Sequence, residues 1–252
     1  GLVAGRGLVS RGGFDDRALG ERQRRFGHDV DAFLRLVERL RTQESSTVRI
    51  GIALHSLRAV PADALASVLE GVARLGPSRT GFPASMLSIH IHIAEQIAEV
   101  EECLAVHNAR PVQWLFDNVD VDARWCLVHA THMDDSEVAR VARSGAVAGL
   151  CPTTEANLGE GFFALAEFLR QGGTMGIGSD SQISISPVEE LRWLEYGQRL
   201  LTRSRNVATD QPNASVGEAL LNAALSGGAQ ASGMPIGRLT GGDASVPSVG
   251  HR

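Results

Sequence analysis

Five ionisable residues stand where short apolar runs end. His55 follows IGIAL, His92 lies near the end of SIHIHIA with Glu95 just beyond it, His129 closes WCLVH, and Asp180 follows MGIGS. Imidazole nitrogen and carboxylate oxygen are donors that suit zinc, which in hydrolases keeps one position open for water. A metal there brings the pKa of water toward neutrality and makes hydroxide available as a nucleophile. An aspartate at the last strand can take the water's proton, and a glutamate just past a metal-binding histidine can carry protons to a leaving nitrogen. Each residue also has a plainer reading. A histidine at a strand end is more often a structural hydrogen-bonding group, and only one of His90 and His92, which share a face, need be a ligand. Asp180 could cap a following helix, Glu95 could stabilise a helix N-terminus, and Glu155 and Asn157 could be ordinary loop residues. His107 and His251 read as exposed and receive no role. The chemical case rests on the joint pattern.

The elements that must position these residues alternate. Strands are expected at 2–9 (its end only), 48–54, 88–93, 125–130, 146–150 and 174–178, each short, apolar and rich in β-branched residues. Helices are expected at 28–41, 61–75, 95–106, 111–118, 134–143, 162–170, 187–201 and 216–231. The stretches 12–27, 76–87 and 151–161 read as loops. Alternation of this length implies a parallel sheet with helical cover, and strands without polar alternation imply burial on both faces. A TIM-type barrel and a doubly wound sheet both fit. The absence of GxGxxG after the first strand lowers the dinucleotide-binding version. Catalytic residues of TIM barrels converge from several strands at the C-terminal edge, which is where the five residues fall.

Composition narrows the class. The chain has 252 residues, 43% hydrophobic and 21% charged, with a net charge of −5. That balance opposes nucleic acid as a partner, because phosphate binding needs clustered positive charge. Cys103, Cys126 and Cys151 form no CxxC pair, so a cysteine zinc site is not expected. An odd count without a framework points to a reducing compartment, the cytoplasm. No apolar run reaches the roughly 18 residues of a membrane span, and the start lacks a signal-peptide core. The first residue is Gly1, so a natural N-terminus is expected to lie further upstream. Residues 240–252, GGDASVPSVGHR, are expected to form a disordered tail after a single unit at 1–239.

Read in order, HIAEQ, LVHATH, GLCPTTEANLGEG, GIGSDS and EELRWLEYGQRL resemble the formimidoylglutamate deiminases of the amidohydrolase superfamily. HSLRAV and RRFGHDVDAFLRLVERL fit the same family, and the likeness covers about residues 8–240. Strand-end His and Asp are generic to the superfamily; CPTTEANLG and EELRWLEYGQRL are more specific. The resemblance implies a (β/α)8 barrel, here strands four to eight with a remnant of the third, and without the family's small β domain. It implies one Zn2+ or other divalent ion per site, held in the family by an HxH pair on the first strand, a His after the fifth and an Asp after the eighth. The last two match His92 and Asp180. It implies Glu95, His129 and Asp180 as catalytic, and His55 and Arg58 as lining the substrate site. The implied reaction is hydrolysis of N-formimino-L-glutamate to N-formyl-L-glutamate and ammonia, in histidine degradation. A guanidinium such as Arg58 suits a substrate with two carboxylates.

Three departures follow from the same resemblance. The HIH at 90–92 belongs to the fifth strand, so the first-strand pair is missing and the isolated chain is expected to hold zinc weakly and release little ammonia. Gln182 stands where the family usually has His, and 77–87 looks like an insertion. Partners are expected to be a small carboxylate-bearing substrate, no nucleic acid and no membrane, with a homodimer left open. Two alternatives stay open: another amidohydrolase deaminase acting on a guanidine, amidine or nucleobase, and a non-catalytic remnant.

Overall fold

The computed structural model describes residues 8–209 and 214–237. Five parallel strands carry the fold: β1 (Ile52–Ser56), β2 (Ile89–Ile93), β3 (Trp125–His129), β4 (Val147–Leu150) and β5 (Thr174–Ile177). They lie side by side in chain order. An order without reversal has no switch point, the feature that defines the doubly wound sheet, so that alternative falls away. The helices are α1 (Glu21–Arg24), α2 (Val30–Arg41), α3 (Ala62–Arg74), α4 (Ile97–His107), α5 (Pro111–Asn118), α6 (Asp135–Ser144), α7 (Pro152–Leu158), α8 (Leu165–Arg170), α9 (Pro187–Thr202) and α10 (Val216–Ser232).

Local chemistry sets these boundaries. Asp29 caps α2 by accepting the Ala32 amide, and Asp134 with Glu137 forms a capping box on α6, which ends at left-handed Gly145. Ile89, Ile91, Ile93, Leu127, Ala148 and Met175 are buried in one core with Val68, Val100, Val138 and Phe168 of the helices. Helix α10 packs against β5 so closely that a side chain at Gly227 would run into the Met175 carbonyl.

Several expectations are corrected. The strand expected at 48–54 begins later, at Ile52, because the Ile50 amide is taken by the Glu44 carboxylate and the ladder to β2 opens with Ile52. The strand also runs on to Ser56, which pairs with His92 beyond the register slip, so His55 lies inside β1 rather than after it. The expected loop 151–161 contains α7, started by Pro152 in its first turn and ended by left-handed Gly159. The helix expected from 162 begins at Leu165, because Gly161 (φ 117°) holds the chain out of helical geometry. Single turns, α1 and a 3-10 turn at Ala84–Met86, lie inside the other two expected loops. Of the expected strand 2–9, only Leu8 and Val9 are described; the Leu8 amide donates to the Ala53 carbonyl at 2.9 Å, beside β1. His251 and the expected tail at 240–252 lie outside the described residues. No described helix is long and apolar enough to cross a membrane.

Candidate active site

The register of β1 against β2 slips by one residue: Ala53 faces His90, but Ser56 faces His92. Such a bulge withdraws one residue from the ladder and re-aims its neighbours. The His55 carbonyl accepts a hydrogen bond from His92 Nδ1 at 2.8 Å. A carbonyl can only accept, so Nδ1 carries the proton and His92 Nε2 keeps its lone pair. The His55 ring stands 5.3 Å from that of His92, and the His129 ring 5.6 Å on its other side. His90, on the same strand face as His92, is spent differently: its Nε2 pairs with the Ala231 carbonyl of α10 at 2.9 Å.

His129 is 1% exposed and set between two carboxylates. Its Nε2 lies 3.4 Å from Glu95 Oε1, and its Nδ1 3.3 Å from Glu155 Oε1. Glu155 Oε1 also accepts the Cys151 amide at 2.9 Å. Glu95 caps no helix; Gln96 precedes α4, and the Glu95 amide donates to Glu99 Oε2 at 3.0 Å. Glu99 is 1% exposed, and its Oε1 has no partner. Asp180 lies beyond β5 and is exposed, with its charge felt at His92, His129 and Glu95. It does not cap the next helix, which starts at Pro187 with the Ser186 hydroxyl as cap. The Arg58 guanidinium is half-buried and makes no hydrogen bond or ion pair with any described residue; its field reaches His55 and Glu99.

The electrostatics sort these groups. Burial lowers His55 to about 4, helped by the charges of His92 and Arg58, so it is neutral at neutral pH although its outer edge is open to solvent. Burial also lowers His92, against its hydrogen bond to His55. For His129 burial is the largest influence and pulls downward, but the Glu155 hydrogen bond and the charges of Glu95, Glu155 and Asp180 together outweigh it, and the ring holds its proton more tightly than an ordinary histidine. Burial raises Glu95 against the opposing field of His129. A tightly protonated histidine beside a carboxyl with raised affinity for protons is a pair suited to moving protons.

Backbone strain gathers at the same edge. Ala94, His129, Ala130, Asp180 and Gln182 are non-glycine residues at φ values of 49°, 68°, 49°, 41° and 59°. Such conformations cost roughly 1–2 kcal/mol each and persist where the surroundings over-determine them.

The donors fit a metal in kind. His92 Nε2 is open, its tautomer is fixed by a backbone carbonyl as in metal-bound histidines, and the Asp180 carboxylate has no hydrogen bond to a described residue. Among the described residues, however, no three His, Cys, Asp or Glu side chains come together as a set that could hold an ion.

Sequence reasoning missed Glu155, which is buried on α7 rather than an ordinary loop residue, and Glu99. It also took His107 as exposed; the ring is half-buried between Phe14 and Trp114, with centroids 5.6 and 5.2 Å away. Asn157 is exposed as a plain surface residue. The signal for Glu155 lay in CPTTEANLG itself: an acid one helical turn from Cys151 in a segment whose first residues are all buried. The EELRWLEYGQRL segment proves to be a brace. Glu190 accepts Thr153 N and Oγ1 at 2.9 and 2.6 Å, and Gln198 donates to the Phe163 carbonyl at 2.9 Å.

Comparison with known proteins places this geometry. The model of the amidohydrolase family matches residues 3–244. Formimidoylglutamate deiminase from Pseudomonas aeruginosa is 53% identical over 235 residues, 92% of this chain and 49% of that protein. A 5-methylthioadenosine/S-adenosylhomocysteine deaminase from Natronomonas pharaonis is 26% identical over 217 residues, 85% of this chain and 46% of that protein. The crystal structure of an amidohydrolase from Brucella melitensis superposes with a TM-score of 0.82 at 46% identity, covering 90% of this chain and 48% of that one. An adenosine deaminase from Xanthomonas campestris with bound zinc has a TM-score of 0.74 at 19% identity over 94% of this chain and 49% of that one, a likeness of fold alone. The chain spans about half the length of the curated relatives it matches.

Proposed function

Because the chain belongs to the amidohydrolase family, we propose that its strand-end site takes part in the hydrolytic deamination of N-formimino-L-glutamate to N-formyl-L-glutamate and ammonia. The observation that carries the chemistry is the Glu95–His129 contact at 3.4 Å beside a His92 whose Nε2 is open. The choice of substrate is supported by the 53% identity to the Pseudomonas aeruginosa deiminase. The five strands are read as strands four to eight of a barrel, with Leu8–Val9 at the third.

A divalent ion, zinc in this reading, would be held in part by His92 Nε2 and Asp180, and would supply Lewis acidity and a more acidic water. Asp180 accepts the proton lost by the attacking water. The water oxygen bonds to the formimino carbon, and the C=N double bond becomes single. His129, protonated and buried, stabilises the developing charge at that centre. Glu95 gives one proton to the imino nitrogen and Asp180 returns the second; the carbon–nitrogen bond breaks as ammonia leaves, the formyl C=O forms, and the hydroxyl proton goes back to Glu95. Arg58, without a partner among the described residues, binds a substrate carboxylate, and His55, neutral, lines the site beside it. Three buried, unpaired thiols are in keeping with a cytoplasmic setting.

The test joins this chain to the part of the Pseudomonas aeruginosa deiminase with which it does not align, and follows ammonia release from a substrate panel. Release from N-formimino-L-glutamate, with none from 5-methylthioadenosine, is expected. The reverse order would favour the nucleoside reading suggested by the more distant relatives.

A further inference from the structure

We infer that Thr154 and Glu155, neighbours on α7, are positioning residues for the two proton carriers of this edge, Glu155 by fixing the tautomer of the His129 ring that faces one carrier, Glu95, and Thr154 by holding the strained turn of the other, Asp180. The inference rests on the functional reading for the word "carrier", but its structural content stands without it.

Glu155 is 3% exposed and has no water to turn to. Its Oε1 receives two N–H groups, the Cys151 amide at 2.9 Å and His129 Nδ1 at 3.3 Å. The first bond pins the carboxylate to the helix start, so the second cannot follow the ring if the ring turns. The carboxylate can only accept, which leaves His129 Nε2 as the nitrogen presented to Glu95 and to the open edge. Without Glu155, either nitrogen of a neutral His129 could carry the proton, and Nε2 would face Glu95 in one tautomer only part of the time.

Thr154 works on the other carrier. Its hydroxyl meets the Ser181 hydroxyl at 2.8 Å and donates to the Ser179 carbonyl at 3.3 Å, and it accepts the Ser181 amide at 3.2 Å. These contacts bracket Asp180, the residue whose φ of 41° an ordinary side chain resists. The helix that carries both residues is itself braced from behind by Glu190 on Thr153. One short helix thus ties the end of β3 to the turn after β5, two strands away.

The experiment is nitrogen NMR of the histidine rings in this chain, on the alkaline side of the His129 titration, with amide hydrogen exchange. In the unaltered protein His129 should carry its proton on Nδ1, and Glu155→Leu should give a mixture of the two tautomers, while Glu155→Gln, whose amide oxygen still accepts, should keep the Nδ1 form. Thr154→Val should speed exchange of the Ser181 amide about five- to tenfold, as loss of one hydrogen bond does, and leave the His129 tautomer alone. A His129 protonated on Nε2 in the unaltered protein would overturn the Glu155 half whether or not the variants fold. An unchanged Nδ1 tautomer in a folded Glu155→Leu protein would do the same, and an unchanged Ser181 exchange rate in Thr154→Val would overturn the other half. None of these readouts depends on which substrate is hydrolysed, so a wrong substrate and a wrong positioning role give different results.

Discussion

The two ends of the sheet are built on opposite terms. At the amino end, polar groups close on one another. Gln230 donates to the carbonyls of Ala123 and Gly145 at 2.9 and 2.7 Å, sealing the turns before β3 and β4. Arg124 grips Asp122 at 2.8 Å, and His90 is spent on the Ala231 carbonyl. Buried polar atoms without a partner among the described residues occur at both ends, Arg41 Nε, Glu44 Oε2, Arg49 Nε and Trp125 Nε1 around the strand starts and Glu99 Oε1, Thr131 Oγ1, His132 Nε2 and Glu160 Oε2 around the carboxyl end; the carboxyl end adds His92 Nε2, Arg58 and Asp180, held but left open. Buried polar atoms are normally satisfied, and the exceptions ask for an explanation. Five of the nine described non-glycine residues with positive φ also fall at the open end. One end is closed by its own side chains, and the other carries the unpaired ionisable groups, in keeping with the site proposed there.

Substitutions should separate the two ends cleanly. In the joined protein, Glu95→Gln should lower the initial rate of ammonia release by about 10²–10⁴-fold, the usual worth of a positioned proton carrier. Gln230→Ala, at the other end, should leave the rate per folded molecule unchanged. Denaturant titration should give the opposite ranking. Gln230→Ala, which removes two hydrogen bonds at the amino end, should cost about 1–2 kcal/mol. Asp180→Asn should stay within about 0.5 kcal/mol, because the site is exposed and asparagine tolerates a positive φ. Equal losses of stability at both ends would break the distinction.

Acid should report on the open end. The folded pKa of His55, about 4, lies below its ordinary 6.5, so the unfolded chain binds the extra proton first. Stability therefore falls as pH drops from about 6.5 through about 4, and His55→Gln should flatten that part of the profile. The sign reverses for His129, whose pKa is raised: its contribution is present below the unfolded value and lost as pH rises through the folded one. Ring-proton NMR should find His55 still neutral at pH 5 while His129 is charged. The smallest effect belongs to the solvated rim, where Asp117→Asn removes the exposed pair with Arg140 and should change stability by less than about 0.5 kcal/mol.

Much of the open end could be read from the chain, because a strand buried on both faces is an apolar run and a polar residue at its end stands out. His92 and His129 were legible for that reason, as were the bounds of α9 and α10. The start of β1 was placed a few residues early because a side chain, Glu44, took the Ile50 amide that an apolar run alone would assign to the sheet, and His55 was placed past its end because the pairing resumes at Ser56 after the register slip. The register slip between Ala53 and Ser56 has no local sequence mark. Helix α7 was hidden by its glycine-bearing context, and Glu155 with it, since its role depends on a histidine 26 positions away. Residues 1–7, 210–213 and 238–252 lie outside the described part, so the tail expected at 240–252 is untouched by these comparisons.

The most direct measurement counts zinc. Dialysed against the metal, the chain as it stands should hold well under one zinc per molecule, because its described residues offer two donors where such sites use at least three. Joined to the remainder of the Pseudomonas aeruginosa deiminase, it should hold close to one and release ammonia from N-formimino-L-glutamate, and Asp180→Asn or His92→Ala in that protein should remove both properties. Full zinc occupancy and undiminished ammonia release with both His92 and Asp180 replaced would mean that the metal and the chemistry lie elsewhere than at the carboxyl end of this sheet.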